Sequence, residues 1–253
     1  MKSTIRTLTS GLTVFLLIAS LALASGDPWK AKPFAQWDEK DIRKILTDSP
    51  WSKIVQIPAT WSNGGDSEGA PDPNLPNAAQ DHSPDGGVMG QGMGPGAPPA
   101  APKVPQATFV VRWISSRVVR EAVLRSAVLS GRMKQEDAEK QAAQPLAVYQ
   151  VLIVGQDMKA FQRADEKALV ATTYLLTKKT KQRLPASGVE FERGPDGKTV
   201  VAVAFAFPQK SASGEATLTP DDKGVEFNCS VAGANFRASF DLPKMVDGKG
   251  QDL

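Results

Sequence analysis

The chain has one cysteine, Cys229, and one histidine, His82. A single thiol cannot close an intramolecular disulfide, so none is expected. One Cys and one His also fall short of the nitrogen and sulfur ligands that the usual zinc sites need, so neither a metal site nor a cofactor is expected. Cys229 alternates in phase with Val225, Phe227 and Val231, which places it in a core as a small apolar side chain. An excess of one charge is lacking as well. The formal net charge is +3, and removing Lys2 and Arg6 with the leader leaves +1. That near-neutral balance excludes the basic footprint of a nucleic-acid binder.

Recognisable catalytic motifs are equally scarce. Gly65-Asp66-Ser67-Glu68-Gly69 matches a nucleophile elbow in letters only. That motif works on a sharp strand-to-helix turn, and Pro71 and Pro73 follow here. Gly90–Gly96 is Gly-rich but lacks the flanking strand and helix of a phosphate-binding loop. A carboxylate pair is the one hydrolytic device that leaves no linear signature, because its members converge in space.

What is present divides the chain into four parts. Lys2 and Arg6 precede the apolar run Leu12–Leu23, which is too short for a comfortable membrane span. Ala22-Leu23-Ala24 supplies a small-x-small site. Residues 1–24 therefore read as a signal peptide cut between Ala24 and Ser25, giving an exported protein, periplasmic or secreted, with no transmembrane segment after cleavage. Residues 25–58 form a short docking segment. Residues 59–105 are so rich in Gly and Pro that a disordered linker is expected. Residues 106–253 carry the patterning of a folded domain.

The docking segment is sharply punctuated. Asp38 suits a helix N-cap, and Asp41 takes the third helical position, where a capping box has its Glu. Ile42, Ile45 and Leu46 share one face, and Pro50 ends the helix. Trp51–Ile57 then reads as a strand. So short a segment cannot bury its own Trp and Ile side chains, so it should dock on the later domain.

The pattern F-x-x-W-x-x-x-D-I-x-x-I-L-T-D-S-P-W, from Phe34 to Trp51, resembles the N-terminal segment of uncharacterised exported bacterial proteins grouped with GWxTD-type domains. The tail Lys244-Met245-Val246-Asp247-Gly248-Lys249 resembles their ends. No contiguous G-W-x-T-D occurs, and Trp37 is well separated from Thr47-Asp48. The resemblance implies export and a bacterial source. It brings no activity and no catalytic residue.

In the domain, Thr108–Ile114 reads as a strand. Ser115 or Ser116 caps a helix running to about Ser130, with Val118, Val119, Ala122, Val123, Ala127 and Val128 on a wide apolar face. Lys134–Gln144 is a polar helix and Leu146–Val154 a central strand. Asp157 is expected to cap a helix holding Met158, Phe161 and Ala164. Val189–Glu192 and Thr199–Phe207 form a hairpin, and Ala202, Ala204 and Ala206 give its second strand a small face that a helix can approach closely. Val225–Val231 and Ala234–Asp241 form another, with Phe236, Ala238 and Phe240 inward and Asn235, Arg237 and Ser239 outward. The fold class is α+β: a largely antiparallel sheet with helices on one face.

Candidate binding residues are Trp37 and Trp51 in the segment, with Arg112, Trp113, Arg117 and Arg120 at the following strand-to-helix junction. The sequence thus points to a non-enzymatic binding or assembly module of the cell envelope. The expected partner is an envelope protein or an acidic glycan, with no nucleic acid. The alternative is a carboxylate-based hydrolase, its site between the N-terminal segment and the α+β domain.

Overall fold

The computed structural model describes residues 26–58 and 106–253. The leader with its Ala24-Ser25 cleavage site, the Gly/Pro-rich linker, His82 and the elbow-like Gly65–Gly69 lie outside the described residues. The rest is α+β, as the patterning predicts, and every strand pairing is antiparallel.

The N-terminal segment begins with a single turn, α1 (Pro28–Ala31), followed by α2 (Glu39–Thr47) and β1 (Ser52–Pro58). Both capping-box bonds of α2 form: Asp41 N donates to Asp38 Oδ1 at 2.9 Å, and Asp38 N donates to Asp41 Oδ2 at 3.0 Å. A shorter acid at the third position therefore still reaches back. β1 pairs along its whole length with β2 (Gln106–Trp113), from Ser52 opposite Arg112 to Pro58 opposite Gln106. The ends of the undescribed stretch 59–105 thus leave from facing positions of one hairpin.

Beyond β2 come α3 (Arg117–Leu129), α4 (Gln135–Ala142), β3 (Val148–Gly155), α5 (Lys159–Gln162) and α6 (Glu166–Thr172). β4 (Tyr174–Thr177), β5 (Arg183–Pro185), β6 (Gly188–Arg193), β7 (Val200–Pro208), β8 (Val225–Val231) and β9 (Ala234–Phe240) follow. A small C-terminal hairpin, β10 (Val246–Asp247) and β11 (Gly250–Gln251), ends the chain. Ser116 is the cap of α3, accepting from Val119 N at 3.2 Å. The single helix expected after Asp157 is two short ones, because Asp165 caps a second start by accepting from Ala168 N at 2.9 Å.

The strands divide into two main sheets where the patterning suggested one. The larger has the order β1-β2-β3-β7-β6 and the smaller β5-β4-β8-β9. Their inner faces meet through aromatic rings: Phe109 on Phe236, Trp113 on Phe240, and Phe205 and Phe207 on Phe227, with centroids 4.9 to 6.3 Å apart. Alternation along a strand tells which side chains turn inward, not which sheet receives them. β9 alternates buried and exposed residues without a break, and Cys229 on β8 is buried.

Helices α2 and α3 lie over the outer face of the larger sheet, and α4 packs against α3. Leu124 of α3 packs on Ala138 and Ala142 of α4, and the outward side chain of Arg112 reaches the C-terminal end of α2.

Candidate functional site

The three tryptophans among the candidate residues are core side chains. Trp37 is buried, with Nε1 donating to the carbonyls of Pro28 at 3.2 Å and Lys32 at 3.1 Å. Trp51 is fully buried, lies edge-on to Trp29, and donates from Nε1 to the Asp252 carbonyl at 2.6 Å. Trp113 is fully buried between Tyr149 and Phe240, and its Nε1 has no hydrogen-bond partner among the described residues.

Two of the three candidate arginines are committed internally. Arg112 Nε donates to the Leu46 carbonyl at 2.7 Å, which ties α2 to the sheet. Arg117 is ion-paired with Asp247, and its Nε lies 3.7 Å from Glu121. Arg125 belongs with them, since its Nε donates to the Trp37 carbonyl at 3.0 Å. Long cationic side chains here satisfy the carbonyls of docked segments, a use invisible in sequence because the partners are distant in the chain. Arg120 is different. Its Nη1 donates to the Gln144 carbonyl at 2.6 Å, its Nε is buried without a partner among the described residues, and it borders an open groove.

The N-terminal end of α3 is also where acids converge. The Asp252 side chain accepts from Arg117 N at 2.7 Å and Val118 N at 2.9 Å, so it caps the helix from the far end of the chain. Asp247 is held by Arg117. Burial raises the pKa of the Glu121 carboxyl, and the Arg117 charge opposes that rise. These acids are engaged within the fold. The hollow between α2 and α3, about 310 Å³, is lined by Ile42, Arg43, Ser126, Leu129, Ser130 and one acid, Glu39. A carboxylate pair is absent from that lining. Among the described residues no cluster of three or more His, Cys, Asp or Glu side chains could hold a metal ion, and no helix is long and apolar enough to cross a membrane.

The groove beside Arg120 is larger, about 490 Å³. Its floor is the outer face of the five-stranded sheet. Cross-strand register places Arg112, Leu152, Ala204 and Glu190 in one row, with Val110, Val154, Ala202 and Glu192 in the next. Directly opposed residues share a face, so the two rows run from ground covered by α2 and α3 to the edge strand β6, each ending at one carboxylate. The wall is α3, through Val119, Arg120, Val123 and Leu124. Val123 was expected within the buried face of α3, but is 51% exposed. The apolar stripe of α3 is wider than the sheet beneath it can cover. The groove continues along Gln150, Ala204, Ala206, Gly188 and Glu190 into a shallower hollow of about 180 Å³. Glu190 and Glu192 are exposed and have no ion-pair partner among the described residues.

A separate group of cations falls on and beside the β4–β5 turn. Lys178, Lys179 and Lys181 are exposed, Lys179 lies 3.9 Å from Asp221, and Arg183 stacks over the Tyr174 ring at 3.7 Å. The grooves described above are lined by other residues.

Sequence reasoning found Arg120 and the small alanine face, and missed Glu190 and Glu192. Their spacing, two apart on a strand ending in a turn, marks them as one-sided; nothing local says that the side faces a groove. Compared with protein-family models, curated proteins and solved structures, the chain matches none.

Proposed function

We propose that this chain is an exported, non-enzymatic binding or assembly module of a bacterial cell envelope, and that its contact surface is the groove between α3 and the β7–β6 side of the larger sheet. Export and a bacterial source rest on the leader pattern and on the Phe34–Trp51 resemblance. The observation that carries the binding role is an open, mostly apolar groove of about 490 Å³ with a few polar groups at its rim: Arg120, Gln141, Gln150, Glu190 and Glu192. Concave apolar surface with sparse polar groups is the usual make-up of a binding site. Of the two expected partner types, a protein suits this groove better than an acidic glycan. Arg112 and Arg117 are spent on internal partners, and the rim carries two carboxylates, Glu190 and Glu192, against one guanidinium, Arg120.

A photo-cross-linking residue placed at Val123 tests this in the native envelope. One discrete adduct is expected from Val123 and none from Arg237, which is exposed on the smaller sheet. The same adducts from both positions, or none from Val123, would reject the groove as the contact surface.

A further inference from the structure

The groove lies where the sheet has room for another helix. Five strands spaced about 4.8 Å apart give a face about 19 Å across between its edge strands. Packed helices sit about 8–10 Å apart, so three fit side by side on such a face. α2 lies over the β1–β2 side, where Arg112 meets Leu46, and α3 lies beside β3, where Val119 and Val123 line the groove together with Leu152. The third place, over β7 and β6, is unfilled among the described residues. Its floor is Ala204, with Ala206 in the adjoining hollow, and neither side chain is long enough to hold a helix away. Its inner wall is Val123, and its outer rim is Glu190 and Glu192.

Those two carboxylates decide the charge of the occupant. They are two residues apart on one face of β6, so they repel each other about 7 Å apart. They lack an internal cation, as described above. A second copy of this chain would bring the same two acids to the same rim, so like charge disfavours self-association through this face. A partner with basic side chains on one flank relieves the repulsion.

Resting on the groove reading above, we infer that the occupant is an amphipathic helix of a partner protein. It spans about three to four turns, with its apolar stripe on Ala204, Leu152 and Val123 and a row of Lys or Arg against Glu190 and Glu192. Helix-in-groove binding draws on the burial the apolar stripe gains, and the flank charges set orientation and rate of encounter.

The test uses the mature protein and a displayed library of random peptides about 15 residues long. Binders should show apolar residues at three- and four-residue spacing with Lys or Arg on one side. Their affinity should fall about tenfold in the E190Q/E192Q double variant at low salt, and the difference should shrink in high salt, as expected for two exposed rim ion pairs. Ala204→Trp, which fills the floor, should abolish binding. Binders with strand-like alternation, acidic flanks or indifference to E190Q/E192Q would overturn the helix assignment, as would a failure to select any binder. If Ala204→Trp still removes the Val123 cross-link in those cases, the groove remains the contact surface and only its occupant is misassigned. If it does not, both readings fall.

Discussion

Asp252 is the second-last residue, yet it holds together three parts of the fold. Its side chain accepts from two N–H groups at the start of α3, its carbonyl accepts from the Trp51 indole, and it is only 8% exposed. Asp252→Ala keeps the carbonyl and removes both side-chain acceptors. Hydrogen bonds to a charged group contribute about 1.5–3 kcal/mol each, and loss of a helix cap costs about 1 kcal/mol. Water admitted at the vacated end offsets part of this, so the expected loss is about 3 kcal/mol. For a domain of this size that lowers the melting temperature by about 6–12 °C. Asp252→Asn keeps one acceptor but turns an amide donor toward the helix, so it should cost about half as much. Urea unfolding followed by tryptophan fluorescence reads this directly. The midpoint should fall with the slope unchanged, since the surface exposed on unfolding is the same. An Asp252→Ala protein within about 0.5 kcal/mol of the parent would refute the claim that the C-terminal end secures α3, the wall of the groove.

The same framework gives three further outcomes. Trp51→Phe leaves the Asp252 carbonyl buried and unpaired, and should cost about 1–3 kcal/mol by the same urea assay. Burial pushes the Cys229 thiol up to about 12. The unfolded chain loses this proton near 9 and the folded chain keeps it, so between those values the unfolded state binds fewer protons. Stability should therefore fall by about 1.4 kcal/mol per pH unit from this group alone, and Cys229→Ala should remove that slope. Because Pro58 faces Gln106, replacing residues 59–105 with a short turn shortens the hairpin connection about tenfold. That should raise stability by about 2 kcal/mol through a smaller closure entropy, without changing Val123 cross-linking.

Much of the fold was legible because local chemistry and burial agree. The Asp38–Asp41 cap, the Ser116 cap and the alternation of β9 are each written within a few residues. The docking of the N-terminal segment followed from its size, since a helix and a strand alone cannot bury Trp37 and Trp51. The site was less legible. Arg112, Arg117 and Arg125 look like a surface patch in sequence, but their partners Leu46, Asp247 and Trp37 are distant residues that meet them only in the fold. The division into two sheets and the reach of Asp252 back to α3 are long-range facts of the same kind. Glu190 and Glu192 became candidates only once register set them beside Ala204 and Ala202.

The groove is tested most directly with Ala204→Trp in the native envelope. The variant places an indole on the groove floor, on the outward face of β7, so its unfolding free energy should stay within about 1 kcal/mol of the parent. The parent protein, gently cross-linked and sized, should run as a stoichiometric complex, and the variant should run alone. A variant that unfolds normally and still forms the same complex would contradict the groove as the binding surface.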